Sequence, residues 1–257
     1  MSAPRIGFMI GGVQKGGTTA LAQYLGRHPQ LRLPACKEAH VFDAPDFDER
    51  WTADAIDARF EPLFPGGFDM DSGILHGDAT PISIFHPAFV RRIARYNPGM
   101  RWIVLLRDPV ERAISQYYME RGRGDEWLPL PLALLAERWR LKGHEHDFGH
   151  GSPLRHHSYL ARGRYITQLD VLTAAFPPSQ VLLLRSRDLR EFPQQTVEQV
   201  VDFLQLPPLR TSQTHGTVFA GEWQGRWLPN ALRPWLGLLY RGELEALRAR
   251  YGITLAP

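Results

Sequence analysis

One cysteine, Cys36, stands among the 257 residues, so no internal disulfide can form and the fold must hold without one. Long apolar runs are lacking too: none approaches the roughly 18 residues of a membrane span, and the longest are strand-sized. The opening Met-Ser-Ala-Pro-Arg enters the first apolar run without the basic region, apolar stretch and cleavage site of a secretory signal. These absences predict a cytoplasmic protein. Charge of one sign is scarce as well, with 30 Lys and Arg against 27 Asp and Glu, a formal +3. That excess is too small for a nucleic-acid partner, and its arginine content suits a small anionic molecule better. No repeat, low-complexity tract or linker interrupts the chain, which predicts a single domain over 1–257.

What is present is an alternation of strands and helices. Arg5 to Ile10 is a short apolar run ending in Gly11 and Gly12, as expected of a strand buried on both faces. After the loop 13–17, Thr18 is expected to cap a helix carrying Leu21 and Leu25. Trp102 to Leu106 is a second strand, followed by Pro109 at the favoured first position of a helix to about Arg121. Val181 to Leu184 is a third, preceded by a helix over about 158–175 and followed by one over 192–204. This order predicts a three-layer α/β fold with a central parallel sheet and helices on both faces. Residues 122–151 are polar apart from one helical stretch, 131–141, and read as a lid or insertion.

Gly11-Gly12-Val13-Gln14-Lys15-Gly16-Gly17-Thr18-Thr19 lies where the first strand hands over to a helix. Backbone amides and the helix dipole converge there on one anion site. Gly16 and Gly17 permit close backbone approach, Lys15 adds a positive charge, and Thr18 and Thr19 add hydroxyl donors. A nucleoside triphosphate loop places its Lys directly before the hydroxyl residue, whereas Lys15 precedes both glycines. Arg107 ends the second strand, and Ser115 lies eight residues on, about two helical turns. Strand ends in a parallel sheet share one edge, so a second phosphate contact is expected from Arg107.

Three segments in this order carry a resemblance: Gly12 through Thr19, then Lys37-Glu38-Ala39-His40-Val41-Phe42-Asp43, then Leu105-Leu106-Arg107-Asp108-Pro109 through Ser115. They resemble the sulfotransferases that use 3′-phosphoadenosine 5′-phosphosulfate (PAPS), above all the heparan sulfate N- and 3-O-sulfotransferase type and its small bacterial relatives. Gly163-Arg164-Tyr165, Phe176-Pro177, Gln180 to Leu184 and Val201-Asp202-Phe203-Leu204 follow the same order, so the similarity covers about 6–206.

The resemblance implies a P-loop NTPase-like sulfotransferase fold, PAPS as donor with PAP as product, and no metal. It assigns the 5′-phosphosulfate to Lys15, Gly16, Gly17, Thr18 and Thr19, and the 3′-phosphate to Arg107 and Ser115. Glu38 matches the family's general base, with His40 its close partner, and either can accept the proton of the acceptor. The 3-O type carries Glu-Lys-Ser-Pro where this chain reads Asp78-Ala79-Thr80-Pro81, so that Lys is missing, as are the paired cysteines near the C-terminus. Its Lys-Gly-Arg cofactor hairpin corresponds to Gln224-Gly225-Arg226. The expected acceptor is therefore a hydroxyl, or failing that an amine, on a small metabolite, a lipid or a carrier-bound chain rather than a sulfated polysaccharide.

Two readings from other classes remain open: a kinase or NTPase using Lys15 and, through magnesium, Asp108, and a non-enzymatic nucleotide sensor. His144, His146, His150, His156 and His157 crowd one segment, but their spacing is irregular and no metal is expected there. Trp223, Trp227 and Trp235 with Phe219 and Tyr240 read as core packing before they read as an acceptor pocket.

Overall fold

The computed structural model describes residues 4–69, 73–209 and 232–255. Arg226, with Phe219, Trp223 and Trp227, lies outside these described residues. The described chain falls into two compact units, 4–106 with 169–209, and 107–168 with 232–255.

The first unit holds the sheet. Its strands are β1 (Ile6–Gly12), β2 (Leu31–Arg32), β3 (Leu75–Asp78), β4 (Arg101–Leu106) and β5 (Val181–Arg185). They pair in the order β2-β3-β1-β4-β5, every pair parallel. The helices between them are α1 (Thr18–Leu25), α2 (Ala53–Phe60) and α3 (Pro87–Tyr96). A parallel sheet must be covered on both faces, which is why the central strands read as unbroken apolar runs. Phe8 and Ile10 of β1 and Ile103 and Leu105 of β4 join one fully buried cluster with Leu21 and Leu25 of α1. Trp102, the opposite parity on β4, stacks instead on Phe176 at 5.6 Å. Period-two alternation along each strand produces both layers.

The second unit contains α4 (Pro109–Arg123), α5 (Leu130–Leu141) and α6 (Pro153–His156), then, after α7 (Tyr165–Ala175), α8 (Ser186–Glu191) and α9 (Pro193–Phe203) return the chain to the first, and α10 (Leu232–Tyr251) belongs to the second. Val110, Ala113, Ile114 and Tyr117 recur at helical spacing on α4 and bury against Leu130, Ala133 and Leu134 of α5 and Leu236 and Tyr240 of α10.

The first strand runs two residues beyond expectation, and the helix after it is capped by Gly17 (φ 99°), not by Thr18, which is its first residue. The helix expected over 158–175 begins only at Tyr165. Ahead of it, the amides of Leu160 and Ala161 donate to the buried Glu137 carboxylate, at 2.5 and 2.7 Å, and Ala161–Gly163 forms only a short 3-10 turn. The helix expected over 131–141 is α5. Strands β2 and β3, of two and four residues, and helices α2, α3 and α10 had no counterpart in the sequence reading.

One buried interaction pins the start of β1. The Tyr96 hydroxyl accepts from the Ile6 amide at 2.9 Å and donates to the buried Asp57 carboxylate, which also accepts the Arg5 amide at 3.3 Å. Burial pushes the Asp57 carboxyl up despite these donors. Tyr96→Phe should leave the Ile6 amide without its acceptor and Asp57 with the Arg5 amide alone, and lower stability by roughly 1–3 kcal/mol, measured by urea unfolding. An unchanged midpoint would show that the hydroxyl is dispensable.

Candidate active site

In the first unit, the loop 13–17 follows β1 and passes over the end of β4, where the Val13 amide donates to Leu105 O at 3.0 Å. Gly16 is obligatory, because a Cβ there would lie 2.6 Å from Leu105 O and 2.8 Å from Val13 O, both backbone atoms that cannot yield. Lys15 also takes a left-handed conformation (φ 69°), which an L residue adopts only where its surroundings impose it. Helix α1 then begins with no side-chain cap and no acidic residue in its first turn. Its leading amides and dipole therefore face the loop without a carboxylate in competition, as an anion site requires.

Beside this loop lies residues 37–43. Lys37 and His40 both have positive φ (67° and 53°), and β3 with its following turn holds them there. Asp78 accepts the Ala39 amide at 3.0 Å, Thr80 Oγ1 accepts the His40 amide at 3.3 Å, and Lys37 O accepts the Ala79 amide at 3.4 Å. Burial pushes the Asp78 carboxyl up to about 6, against hydrogen bonds from Thr80 and the Ala39 amide.

The side chains form one continuous row. Lys37 Nζ donates to Thr18 Oγ1 at 3.3 Å and to Glu38 Oε1 at 2.5 Å. Glu38 Oε2 lies 3.4 Å from His40 Nε2, and His40 Nδ1 lies 2.8 Å from the buried Asp43 Oδ2. Burial alone would favour a neutral ring, but hydrogen bonds to Asp43 and then Glu38 raise His40 to about 9. Burial likewise works against the Glu38 carboxylate, and the contacts with His40 and Lys37 outweigh it and lower its pKa. Near neutral pH the row is thus an imidazolium between two carboxylates. It cannot accept a proton on His40, but Glu38 is ionised.

The sequence reading did not single out Lys37, Asp43, Asp78 and Thr80. Lys37 and Asp43 stood inside the 37–43 segment without a role, and a carboxylate three residues after a histidine was the available signal. Asp78 ends a strand too short to be recognised.

In the second unit, Asp108 caps α4 by accepting the Glu111 amide at 2.9 Å, and burial raises its pKa. Arg107 donates to Glu111 Oε2 at 3.1 Å and its carbonyl accepts the Tyr165 hydroxyl at 2.8 Å. Ser115 lies buried two turns along α4. The histidines of 144–157 have separate tasks. His144 pairs with Asp147 at 3.2 Å, His157 Nε2 meets Asp125 O at 3.0 Å, and His156 Nδ1 lies 2.9 Å from Glu120 and 3.5 Å from Asp125.

A family model described as a sulfotransferase domain matches residues 6–218. The chain belongs to the sulfotransferase domain family. Among curated sulfotransferases it is 31% identical over 205 residues to heparan sulfate glucosamine 3-O-sulfotransferase 6 of Mus musculus, across 80% of this chain and 54% of that protein. It is 26% identical over 212 residues to the bifunctional heparan sulfate N-deacetylase/N-sulfotransferase 4 of the same species, across 78% of this chain and 22% of that one. The chain thus spans about half or less of the length of these relatives. A sulfotransferase crystal structure from Alicyclobacillus acidocaldarius superposes with a TM-score of 0.77 at 25% identity, covering 99% of this chain and 98% of that one. The fold is that of the P-loop NTPase-like sulfotransferases, as expected. Among the described residues no helix is long and apolar enough to cross a membrane.

The state of His40 is open to direct measurement. In Asp43→Asn, its imidazole NMR titration midpoint should fall from near 9 toward the ordinary 6.5. The contribution of this contact to stability is complete below pH 6.5 and is lost as pH rises through 9, because the folded state holds the proton more tightly. An unmoved midpoint would remove Asp43 from control of the ring.

Proposed function

We propose that this sulfotransferase takes its sulfuryl group from PAPS and delivers it by in-line displacement to a hydroxyl, or less readily an amine, of a small-molecule, lipid or carrier-bound acceptor. The observation that carries the reading is the row Thr18, Lys37, Glu38, His40 and Asp43, which ties the anion loop to an ionised carboxylate.

The donor set fits a phosphosulfate. Gly16, Gly17 and the leading amides of α1 accept the anion, Thr18 and Thr19 add hydroxyls, and Lys15 stabilises charge on the departing phosphate. Bound PAPS would supply an activated sulfuryl group, and the protein supplies alignment and charge. Glu38 takes the acceptor proton, since His40 already carries one and holds Glu38 in place. A loose transition state draws that proton late, so a carboxylate of low basicity suffices. Within the second unit, Arg107 and Ser115 are assigned to the 3′-phosphate by the family resemblance, with Glu111 holding the Arg107 guanidinium. Ala79 is completely buried where the 3-O type carries a lysine, and the chain has only a slight cationic excess. Both support an acceptor other than a sulfated polysaccharide.

Calorimetric titration with PAP and with ATP, each with and without magnesium, tests the donor. The expected result is tight, metal-independent PAP binding and weak ATP binding, whereas magnesium-dependent ATP binding without PAP binding would favour a kinase. In the same instrument Arg107→Ala should weaken PAP while sparing adenosine 5′-phosphosulfate, and equal losses would dissociate Arg107 from the 3′-phosphate. With a competent acceptor, Glu38→Gln should lower turnover on the order of 10²–10⁴-fold with PAP affinity intact. An active Glu38→Gln enzyme would transfer the base role to His40.

A further inference from the structure

Helix α5 is apolar on two opposite sides, and among the described residues only one of them is buried inside its unit. Leu130, Ala133 and Leu134 are buried in the cluster built on α4. Across the helix, Leu132, Leu135 and Trp139 recur three and four residues apart and are 52%, 55% and 73% exposed. Trp127, just ahead of the helix, is 76% exposed. Single exposed apolar residues are ordinary on a protein surface, but a continuous stripe with two tryptophans is not.

The exposed charges along 121–142 are predominantly cationic. Arg138 and Lys142 border it, both exposed, and neither forms an ion pair among the described residues. Arg121 and Arg123 at the end of α4 are exposed as well, and Arg121 Nη1 donates to the carbonyls of Trp127 and Leu128 at 3.2 and 3.3 Å. The acids of the same stretch are turned inward: Glu126 pairs with Arg140, and Glu137 takes the Leu160 and Ala161 amides. From 121 to 142, Asp125 is the one exposed acid.

We propose that this face of α5 docks on an anionic phospholipid surface. Leucines enter the acyl boundary, the tryptophans sit at the headgroup level where an apolar body and a polar N–H are both accommodated, and Arg and Lys reach lipid phosphates. A second copy of the chain is a poorer occupant. A two-fold contact would set Arg138 and Lys142 against their own copies, and within 121–142 Asp125 alone is an exposed acid to offset them. The docking is independent of donor chemistry, so it stands or falls separately from the PAPS assignment.

The test is flotation of the full chain with vesicles of phosphatidylcholine alone, or mixed with phosphatidylglycerol, without donor. Association with the mixed vesicles only, weakened by salt, is the expected result. Leu135→Ser with Trp139→Ser, and separately Arg138→Glu with Lys142→Glu, should each lower partitioning about tenfold or more. All four side chains are exposed, so thermal unfolding and PAP titration should be unchanged. Absence of binding to either vesicle, or undiminished binding by both variants, overturns the proposal. So does self-association in lipid-free sedimentation that Leu135→Ser with Trp139→Ser abolishes, which would assign the face to a second copy.

Discussion

Two carboxylates that have left water, Asp78 and Asp43, set the geometry on which the candidate site rests. Asp78 closes β3 inside a parallel sheet, where its oxygens can be satisfied only by nearby amides and hydroxyls. It takes the Ala39 amide, and with Thr80 it bends residues 37–40 into two left-handed positions that side chains normally avoid. Such conformations cost on the order of 1–3 kcal/mol each and persist only where neighbours impose them. Asp43 acts on the side chains instead, fixing the His40 ring so that its far nitrogen meets Glu38.

The consequence is a charge row whose members hold one another's protonation. Lys37 and His40 keep Glu38 ionised, and Glu38 and Asp43 keep His40 protonated. Because Lys37 also reaches Thr18 at the first residue of α1, the row is joined to the loop where an anion is accommodated. A dipole, a lysine and a carboxylate thus meet at the C-terminal edge of one sheet, where open α/β folds place their ligands.

The second unit solves another problem, that of packing helices around buried polar groups. Arg112 is wholly buried, donating to Gln116 and to the Tyr159 carbonyl, and Glu137 is held nearby in the same unit by two amides. Burial pushes the Glu137 carboxyl up to about 6, against the two amide hydrogen bonds from Leu160 and Ala161. Glu137 belongs to the inner, buried side of α5 and holds the amides that open the short 3-10 turn Ala161–Gly163 ahead of α7. With that side committed to α4, the outer apolar stripe has no partner among the described residues of the unit.

Read without coordinates, the sequence was sufficient for the parallel α/β sheet, the glycine-rich loop and the Arg107-Asp108-Pro109 junction, because each depends on local signals: unbroken apolar runs, glycine placement, and proline at a helix start. Glu38 and His40 were legible by resemblance, since the segment keeps its residue order. The roles of Asp78 and Thr80 were not, because their partners lie 39 and 40 residues away and β3 is four residues long, and Asp43, three residues from His40, takes its role only once burial holds it against that ring. The choice between Glu38 and His40 also needed tertiary structure. A histidine titrates near neutrality in isolation, and only the packing of two carboxylates against its ring moves it to about 9. Local pattern determines which elements form, whereas burial and long-range contact decide which charged forms they hold.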